Sequence, residues 1–290
     1  MFDSGSERFG IPFLNKTYRG YINGTAEAEK IFGLLKDSTA DTIKQDLTDK
    51  KIKYTVLKEK KKRLYLSIEY EGKYYHIKVH NFLKEFHLNK IIGHYFSASQ
   101  ARRSWKMAGR FMELGIATPK PLGYIEKRRM GALLSSILVT EYLPEVITLK
   151  NMYMLPSNTI DKKLLIIELA KFIALLHNNG IIHGDLKASN IVVKRDHPGG
   201  ISFYITDLAS VKFKEHPSMN DMASDIACIH TSFGSELLPG DRLQFLHHYC
   251  KRITSFKMDI RELLKSVQNI SAERLKKRER NHAGRYFTNH

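Results

Sequence analysis

The sequence predicts an α+β fold in which a small antiparallel sheet with one main helix precedes a mostly helical segment. Two patterns support this prediction. Residues 53–80 contain three β-like runs, two of which alternate clearly between apolar and polar residues, as in an antiparallel meander. From residue 162 onward, apolar residues recur at helical spacing over long stretches. A chain of 290 residues has room for one large domain or two lobes with a sizeable core.

The N-terminal half of the chain supplies the predicted sheet. Residues 1–52 are poorly patterned apart from a short helix at 26–35, and we interpret them as an extension packed on the lobe that follows. Strands are then predicted at 53–57, 64–70, 74–80, 122–126 and 136–143. A helix at 98–114 and a rigid, proline-containing link separate the third strand from the fourth.

A polar loop between a helix and a strand is the most informative part of the chain. The helix at 162–178 ends before Gly180, a residue type that suits the left-handed conformation after a helix. The loop at 183–190 carries His, Asp, Lys and Asn, and an apolar, β-branched triplet follows it as a buried strand. A strong turn signal at 196–200 then predicts a hairpin whose second strand returns at 201–205.

The predicted hairpin brings three oxygen-bearing side chains to one point. Asp207 follows the returning strand, so we expect it beside Asn190 and Asp185. Carboxylate and amide oxygens suit a hard divalent cation that keeps some coordination sites for phosphate. The alternative is a hairpin whose polar residues only cap its turns. No group of histidines and cysteines has metal-ligand spacing, so no structural zinc is expected.

The composition is ordinary except for its charge. The chain holds 47 Lys and Arg against 30 Asp and Glu, a net charge of +17 that attracts nucleic acid, an anionic membrane or a phosphorylated substrate. Cys228 and Cys250 fit small core residues in a reducing compartment. Neither a signal peptide nor a run of about 20 apolar residues is visible. Helices are predicted at 219–233 and between 241 and 280, and the last one ends in a basic run.

The loop and the second Asp resemble the catalytic segments of protein-kinase-like phosphotransferases. Residues 183–190 match the pattern H-x-D-x-K-x-x-N, and residues 206–208 (Thr-Asp-Leu) stand where that superfamily has Asp-Phe-Gly. The resemblance implies a two-lobed fold that transfers phosphate from ATP with Mg²⁺. Asp185 would accept a hydrogen bond from the substrate hydroxyl, and Lys187 would steady the transferring phosphate. Two oxygen donors would hold the magnesium, Asn190 and Asp207.

The same resemblance assigns roles in the first lobe. Lys78 matches the strand lysine that binds the α- and β-phosphates, the alternative being an exposed strand lysine. The strand that ends before Pro144 matches the hinge between the lobes. Backbone groups of three residues there would meet the adenine edge, namely Glu141, Tyr142 and Leu143.

Two features depart from the pattern of protein kinases. Residues 58–63 hold five cations where a glycine-rich loop is usual, and these cations either contact the phosphates or form a solvated turn. The helix at 98–114 shows no Glu where one would pair with Lys78, since Arg102, Arg103 and Ser104 occupy that region. Glu113 lies at the wrong end of the helix and Glu85 lies before it, so the pairing residue is not identified. In the second lobe, Asp225 matches an internal Asp that ties the backbone of the catalytic loop, the alternative being an exposed helical Asp.

Within the superfamily the chain most resembles the bacterial lipopolysaccharide core kinases, which phosphorylate heptose or Kdo sugars. Three features carry this resemblance: the aromatic run before Lys78, the helix and link at 105–121, and the short segment after Asp207, which has no Ala-Pro-Glu motif. It implies a sugar hydroxyl as acceptor, an anionic glycolipid as partner, and a cytoplasmic location, peripheral on the cytoplasmic face of the inner membrane. It also implies three segments: an extension at 1–52, an N-lobe at 53–143 and a helical C-lobe at 144–290.

Two other functions stay open at the level of sequence. One is an atypical protein Ser/Thr or small-molecule kinase of the same fold. The other is a catalytically vestigial basic module that binds a membrane or nucleic acid, of which nucleic acid is the less expected partner. Magnesium-dependent binding of ATP separates the enzymes from the binding module. The sequence fixes neither the modified sugar hydroxyl nor the oligomeric state.

Overall fold

The computed structural model describes residues 10–14, 18–35, 38–39, 41–60, 62–82, 98–156, 158–196, 200–255 and 257–286. The chain divides into two compact units, Met1–Pro144 and Glu145–His290. The first unit contains the large sheet, and the second contains most of the helices. None of the helices in the described ranges is long and apolar enough to span a membrane.

A seven-stranded antiparallel sheet in the order β1-β2-β6-β7-β5-β4-β3 forms the centre of the N-terminal unit. Its strands are β1 (Ile11–Leu14), β2 (Arg19–Ile22), β3 (Lys53–Lys60), β4 (Arg63–Tyr70), β5 (Lys73–Asn81), β6 (Pro121–Arg129) and β7 (Ala132–Glu141). The predicted meander of β3, β4 and β5 is confirmed. The predicted turn at 58–63 is wrong in part, because β3 continues to Lys60 before the chain reverses. The lysines at the end of β3 fit in a strand because β3 lies at the edge of the sheet and its side chains are exposed.

One face of this sheet is covered by two helices, α1 (Ala26–Leu35) and α2 (Ile43–Asp49). The predicted helix at 26–35 is confirmed. Apolar side chains of both helices pack with alternate residues of the sheet in one buried cluster, which includes Ile31, Phe32, Leu47, Leu66, Ile77 and Val139. Residues before 52 therefore supply two strands of the sheet and the helices on one of its faces.

The opposite face carries the third helix, α3 (Gln100–Glu113), as the sequence predicts. Ser99 caps its start by accepting the N–H of Arg102 at 2.9 Å. Trp105 is buried in a second cluster with side chains from the sheet, including Tyr124 and Leu138. Glu126 is also buried and accepts hydrogen bonds from Ser99 N and Arg128 Nε. Glu85, which lies before this helix in the sequence, falls outside the described residues.

In its described residues, the C-terminal unit combines five α-helices with short strands. The helices are α4 (Leu149–Met154), α5 (Lys162–Asn178), α6 (Met219–Phe233), α7 (Pro239–Cys250) and α8 (Ile260–Tyr286). The strands β10 (Ile191–Asp196) and β11 (Gly200–Ile205) form a hairpin flanked by β8 (Val146–Thr148), and β9 (Ile181–Ile182) pairs with β12 (Lys212–Phe213). The predicted helices at 162–178 and 219–233 and the predicted hairpin are confirmed.

The long C-terminal helix packs on α6 through its first half and binds it through arginines in its second half. Leu263 and Val267 of its apolar stripe are buried. Arg274 donates to Ser224 Oγ at 3.0 Å, and Arg278 donates to the carbonyl of Thr231 at 3.0 Å. These two cations of the basic run are therefore used in packing.

Candidate active site

The polar loop at 183–190 is held between β9 and β10, as the sequence predicts. Two backbone hydrogen bonds fold it into consecutive tight turns. Lys187 N donates to Asp185 O and Asn190 N donates to Lys187 O, both at 2.8 Å. Ala188 N also donates to Ser232 Oγ of α6 at 2.8 Å. The backbone of the loop is therefore held by hydrogen bonds within the protein.

The carboxylate of Asp225 on α6 anchors the start of the loop. It accepts the backbone N–H of His183 at 2.6 Å and that of Gly184 at 2.9 Å. Asp225 is 1% exposed, so the alternative of an exposed helical Asp is wrong. Gly184 has φ +77°, and a Cβ there would lie 3.1 Å from the carbonyl of Ser210. The anchor thus holds a backbone conformation that favours glycine.

His183 links the loop to the segment that carries Asp207. Its Nε2 lies 3.1 Å from the carbonyl oxygen of Thr206, so this nitrogen carries the proton and donates. Its Nδ1 accepts the N–H of Asp185 at 3.3 Å. Together these contacts assign the neutral tautomer with the proton on Nε2. The ring is 1% exposed and serves to position Asp185 and Thr206.

Asp185 and Lys187 form an ion pair at the surface of the loop. Lys187 Nζ lies 2.7 Å from Asp185 Oδ2, and both side chains are partly exposed. The pair leaves Oδ1 of Asp185 to face other groups. In this arrangement the carboxylate can accept a hydrogen bond from a substrate hydroxyl, and the ammonium can contact a phosphate group.

Asn190 and Asp207 lie at the same end of the β10–β11 hairpin. Ile191 pairs with Ile205 in the ladder, and Thr206 N donates to Asn190 O at 2.9 Å just beyond that pair. Asn190 Nδ2 donates to the carbonyl of Asp185 at 2.8 Å, which leaves its Oδ1 as an acceptor. The predicted convergence of the loop with the end of the returning strand is thus observed in the backbone.

The donor types of the three residues predicted to converge here fit a magnesium ion. Within the described ranges, no three His, Cys, Asp or Glu side chains are grouped as metal ligands. Asp185, Asn190 and Asp207 instead offer two carboxylates and an amide oxygen, and oxygen donors are what Mg²⁺ prefers. Asp207 adopts the left-handed conformation, with φ 62° and ψ 52°. Asp is one of the few non-glycine residue types that adopt this conformation readily.

A buried layer behind the loop was not predicted from the sequence. His177 of α5 has its Nδ1 2.6 Å from the hydroxyl of Tyr249 on α7 and its Nε2 3.6 Å from Asp225 Oδ2. Burial raises the pKa of Tyr249 well above its usual value of 10.0, so the hydroxyl stays protonated. The sequence carries no signal for this contact, because the two residues belong to different helices 72 positions apart.

The residues predicted to bind the nucleotide lie in the N-terminal unit. Lys78 is half-buried on β5, with its Nζ 5.7 Å from the centroid of the Tyr65 ring. Glu141 ends β7, and its N–H donates to Lys120 O at 2.9 Å. The N–H of Tyr142 donates to Tyr74 O at 3.1 Å.

Leu143 follows the end of β7. Its N–H makes no hydrogen bond within the part of the chain that the structure describes, unlike those of the two residues before it. Of the three predicted adenine contacts, Leu143 is thus the one with a backbone donor that the sheet does not already use.

Comparison with known proteins decides the family. The lipopolysaccharide kinase (Kdo/WaaP) family matches residues 48–249, more than two thirds of the chain. The chain belongs to this family. Its membership confirms the predicted phosphotransferase and implies ATP as the phosphate donor.

Individual relatives agree with this assignment. The chain is 26% identical over 247 residues to the lipopolysaccharide core heptose(I) kinase WaaP of Escherichia coli K12, covering 79% of this chain and 90% of that protein. It is 24% identical over 226 residues to the enzyme of the same name from Pseudomonas aeruginosa PAO1, covering 75% and 82%.

A solved structure supports the fold. The structure described as WaaP in complex with acyl carrier protein matches 80% of this chain and 90% of its own, with a TM-score of 0.55 at 22% identity. The predicted α+β, protein-kinase-like fold is therefore confirmed.

Proposed function

We propose that this kinase transfers the γ-phosphoryl group of ATP to a heptose or Kdo hydroxyl of the lipopolysaccharide inner core. Family membership supports the reaction class, and two relatives are named as core heptose(I) kinases. The observation that carries the proposal is the anchored loop in which Asp185 pairs with Lys187 beside Asn190. A solvated turn would not need two backbone N–H groups bonded to the buried Asp225 carboxylate.

Asp185 and Lys187 would act on the reacting groups. The Asp185 carboxylate accepts a hydrogen bond from the sugar hydroxyl and orients its oxygen toward the γ-phosphorus. As the new P–O bond forms, the hydroxyl proton passes to the Asp185 carboxylate, the bond from the γ-phosphorus to the β-phosphate oxygen breaks, and ADP leaves. Lys187 lies close enough to Asp185 to neutralise charge on the transferring group.

Asn190 Oδ1 and the Asp207 carboxylate would hold magnesium. The ion, when bound, neutralises phosphate charge. The chain contributes the rigidity of the two donors, since Asn190 is fixed by its bond to Asp185 O and Asp207 by its place after the hairpin. His183 keeps these segments in register through Thr206.

In the N-terminal unit, Lys78 would bind the α- and β-phosphates of ATP. Its cross-strand neighbour Tyr65 supports the ammonium through a cation–π contact. The adenine edge would meet the segment at 141–143, where Leu143 N–H is the donor that the sheet leaves for it. We further propose that residues 53–143 and 144–290 are the two lobes of the kinase and that residues 1–52 belong to the first.

We also propose that the kinase binds the anionic surface of the inner membrane through α8. Arg274 and Arg278 of its basic run bind α6, whereas Lys276 and Lys277 are exposed. Vesicles containing an anionic lipid should retain the wild type and release it as salt rises. The double variant Lys276→Gln/Lys277→Gln should bind more weakly. The charge-matched control Lys163→Gln/Lys251→Gln should not, and equal binding by both variants would remove α8 from the proposal.

The phosphotransfer itself is tested with Asp185→Asn. ATP-dependent phosphorylation of purified core glycolipid should fall by about 10²- to 10⁴-fold, while thermal unfolding is unchanged because Asp185 is partly exposed. Asp196→Asn, on the distant end of the hairpin, is the control and should retain activity. Acceptors ending in heptose, acceptors ending in Kdo and a generic protein should be compared. Phosphorylation of the generic protein and of neither sugar acceptor would contradict the sugar assignment.

A further inference from the structure

A β-bulge in the edge strand β3 sets the direction of Lys58. The register between β3 and β4 slips between Val56 and Lys58, so that Leu57 is the extra residue and Lys58 pairs with Tyr65. Cross-strand partners in an antiparallel ladder point to the same face of the sheet. Without the bulge, Lys58 would pair with Leu64 and point into the apolar core. The bulge therefore turns Lys58 to the face of Tyr65.

The neighbouring carboxylate gives an independent indication of this direction. Glu59 pairs in register with Leu64, and its Oε1 lies 3.0 Å from Lys44 Nζ. Lys44 belongs to α2, whose apolar residues cover the core face of the sheet. Because successive strand residues point to opposite faces, Lys58 lies on the face away from α2.

Lys78 reaches the same aromatic ring from the next strand. It pairs with Tyr65 in the ladder between β4 and β5. The Nζ atoms of Lys58 and Lys78 each lie 5.7 Å from the centroid of the Tyr65 ring. Lys58, Tyr65 and Lys78 thus form a row across three adjacent strands, and the two ammonium groups are separated by no more than twice that distance.

Among the described residues, no carboxylate balances the charge of Lys58. Its neighbour Glu59 is engaged by Lys44 on the opposite face, and in the described part of the chain no carboxylate lies within ion-pair distance of Lys58. Lys58 is exposed, whereas Lys78 is half-buried. Two ammonium groups repel each other, and an anion that contacts both lowers this energy.

We infer that Lys58 is a second phosphate-binding residue of the nucleotide site and binds the polyphosphate chain of ATP together with Lys78. The inference rests on the proposed kinase function. It assigns a role to the segment without glycines at 58–63, where backbone amides cannot approach phosphates as they do in a glycine-rich loop. Of the cations in this segment that the structure describes, Lys58 is the one held against Tyr65.

Ligand binding by Lys58→Gln in the full-length chain tests the inference. Dissociation constants for ATP and ADP, measured calorimetrically with magnesium, should rise about tenfold, as expected for the loss of one charge-assisted contact. The constant for adenosine should stay unchanged because it has no phosphate. Lys58→Arg should bind ATP as the wild type does. The control is Lys53→Gln on the same strand, whose side chain is 84% exposed and lies 3.9 Å from Glu69.

The outcomes separate this inference from the kinase proposal. If Lys58→Gln and wild type bind ATP equally, the role of Lys58 is overturned and the kinase function stands. A comparable loss in Lys53→Gln, or an equal loss for adenosine, also overturns it, because net charge or folding then explains the change. Failure of the wild type to bind ATP at all overturns both proposals.

Discussion

The carboxylate of Asp225 accepts the backbone N–H of His183 at 2.6 Å inside the C-terminal unit. Its second oxygen accepts the next N–H along the loop. One buried side chain thus fixes the backbone of the two residues that precede Asp185. The loop depends on α6 for its position. Substitutions in α6 should therefore alter catalysis even where the substituted side chain does not contact the substrate.

Asp225→Asn should lower kcat by about 10- to 100-fold while the KM for ATP changes little, because the amide offers one acceptor where the loop needs two. The free energy of unfolding should fall by ~1–3 kcal/mol, since one buried N–H loses its partner. Steady-state kinetics and chemical denaturation measure the two effects. Asp221→Asn on the same helix is the control and should keep kcat. A wild-type kcat in Asp225→Asn would contradict the positioning role.

Gly184→Ala should destabilise the chain and reduce kcat. The residue has φ +77°, and the added Cβ would lie 3.1 Å from Ser210 O. A cost of ~1–2 kcal/mol follows from the left-handed backbone alone. Gly240→Ala is the matched control, since it lies in α7 with nothing within 4 Å of the added Cβ. It should raise stability by up to ~1 kcal/mol. Equal denaturation midpoints for the two variants would contradict this account.

Elements with strong local signals could be predicted from the sequence. The helices α5 and α6 have an apolar stripe and a capping residue at the start, and the structure places them at the predicted residues. The hairpin of β10 and β11 follows from its turn residues. Residues 1–52 were less legible, because β1 and β2 are four residues each and too short to show a period.

Contacts between distant segments could not be predicted from the residues alone. The bulge at Leu57 has no local signature, although it decides which face Lys58 occupies. The pairing of His177 with Tyr249 depends on how α5 and α7 pack. The bond from Ala188 N to Ser232 is set by the packing of α6 on the loop. The sequence predicts the chemistry of the loop, and the packing of helices decides how the loop is held.

Acid should destabilise the C-terminal unit through His230. This residue lines an apolar cavity between α4, α5, α6 and α7, and burial, followed by the charge of Arg242, lowers its pKa to about 3. The unfolded chain binds a proton near pH 6.5, whereas the folded chain does not until about pH 3. The stability due to neutral His230 is therefore full above pH 6.5 and is lost as the pH falls toward 3.

Chemical denaturation at pH 7.5 and 5.0 measures this effect. The wild type should lose up to ~2 kcal/mol of unfolding free energy between these values through His230. His230→Leu should lose correspondingly less, and His216→Gln, a variant of an exposed histidine, should behave as the wild type does. Parallel pH profiles for wild type and His230→Leu would contradict the assignment.

Asp207→Asn should separate the metal role from the fold. Asp207 has φ 62° and ψ 52°, a conformation that Asn tolerates as readily as Asp, so the unfolding midpoint should not change. The loss of one carboxylate should raise the magnesium concentration needed for half-maximal ATP binding, because a neutral amide is a weaker ligand. Asp207→Gly removes the donor altogether and relieves the backbone, so it should be more stable by ~1 kcal/mol and need at least as much magnesium as Asp207→Asn. Magnesium titrations of ATP binding identical to the wild type in both variants would exclude Asp207 as a ligand.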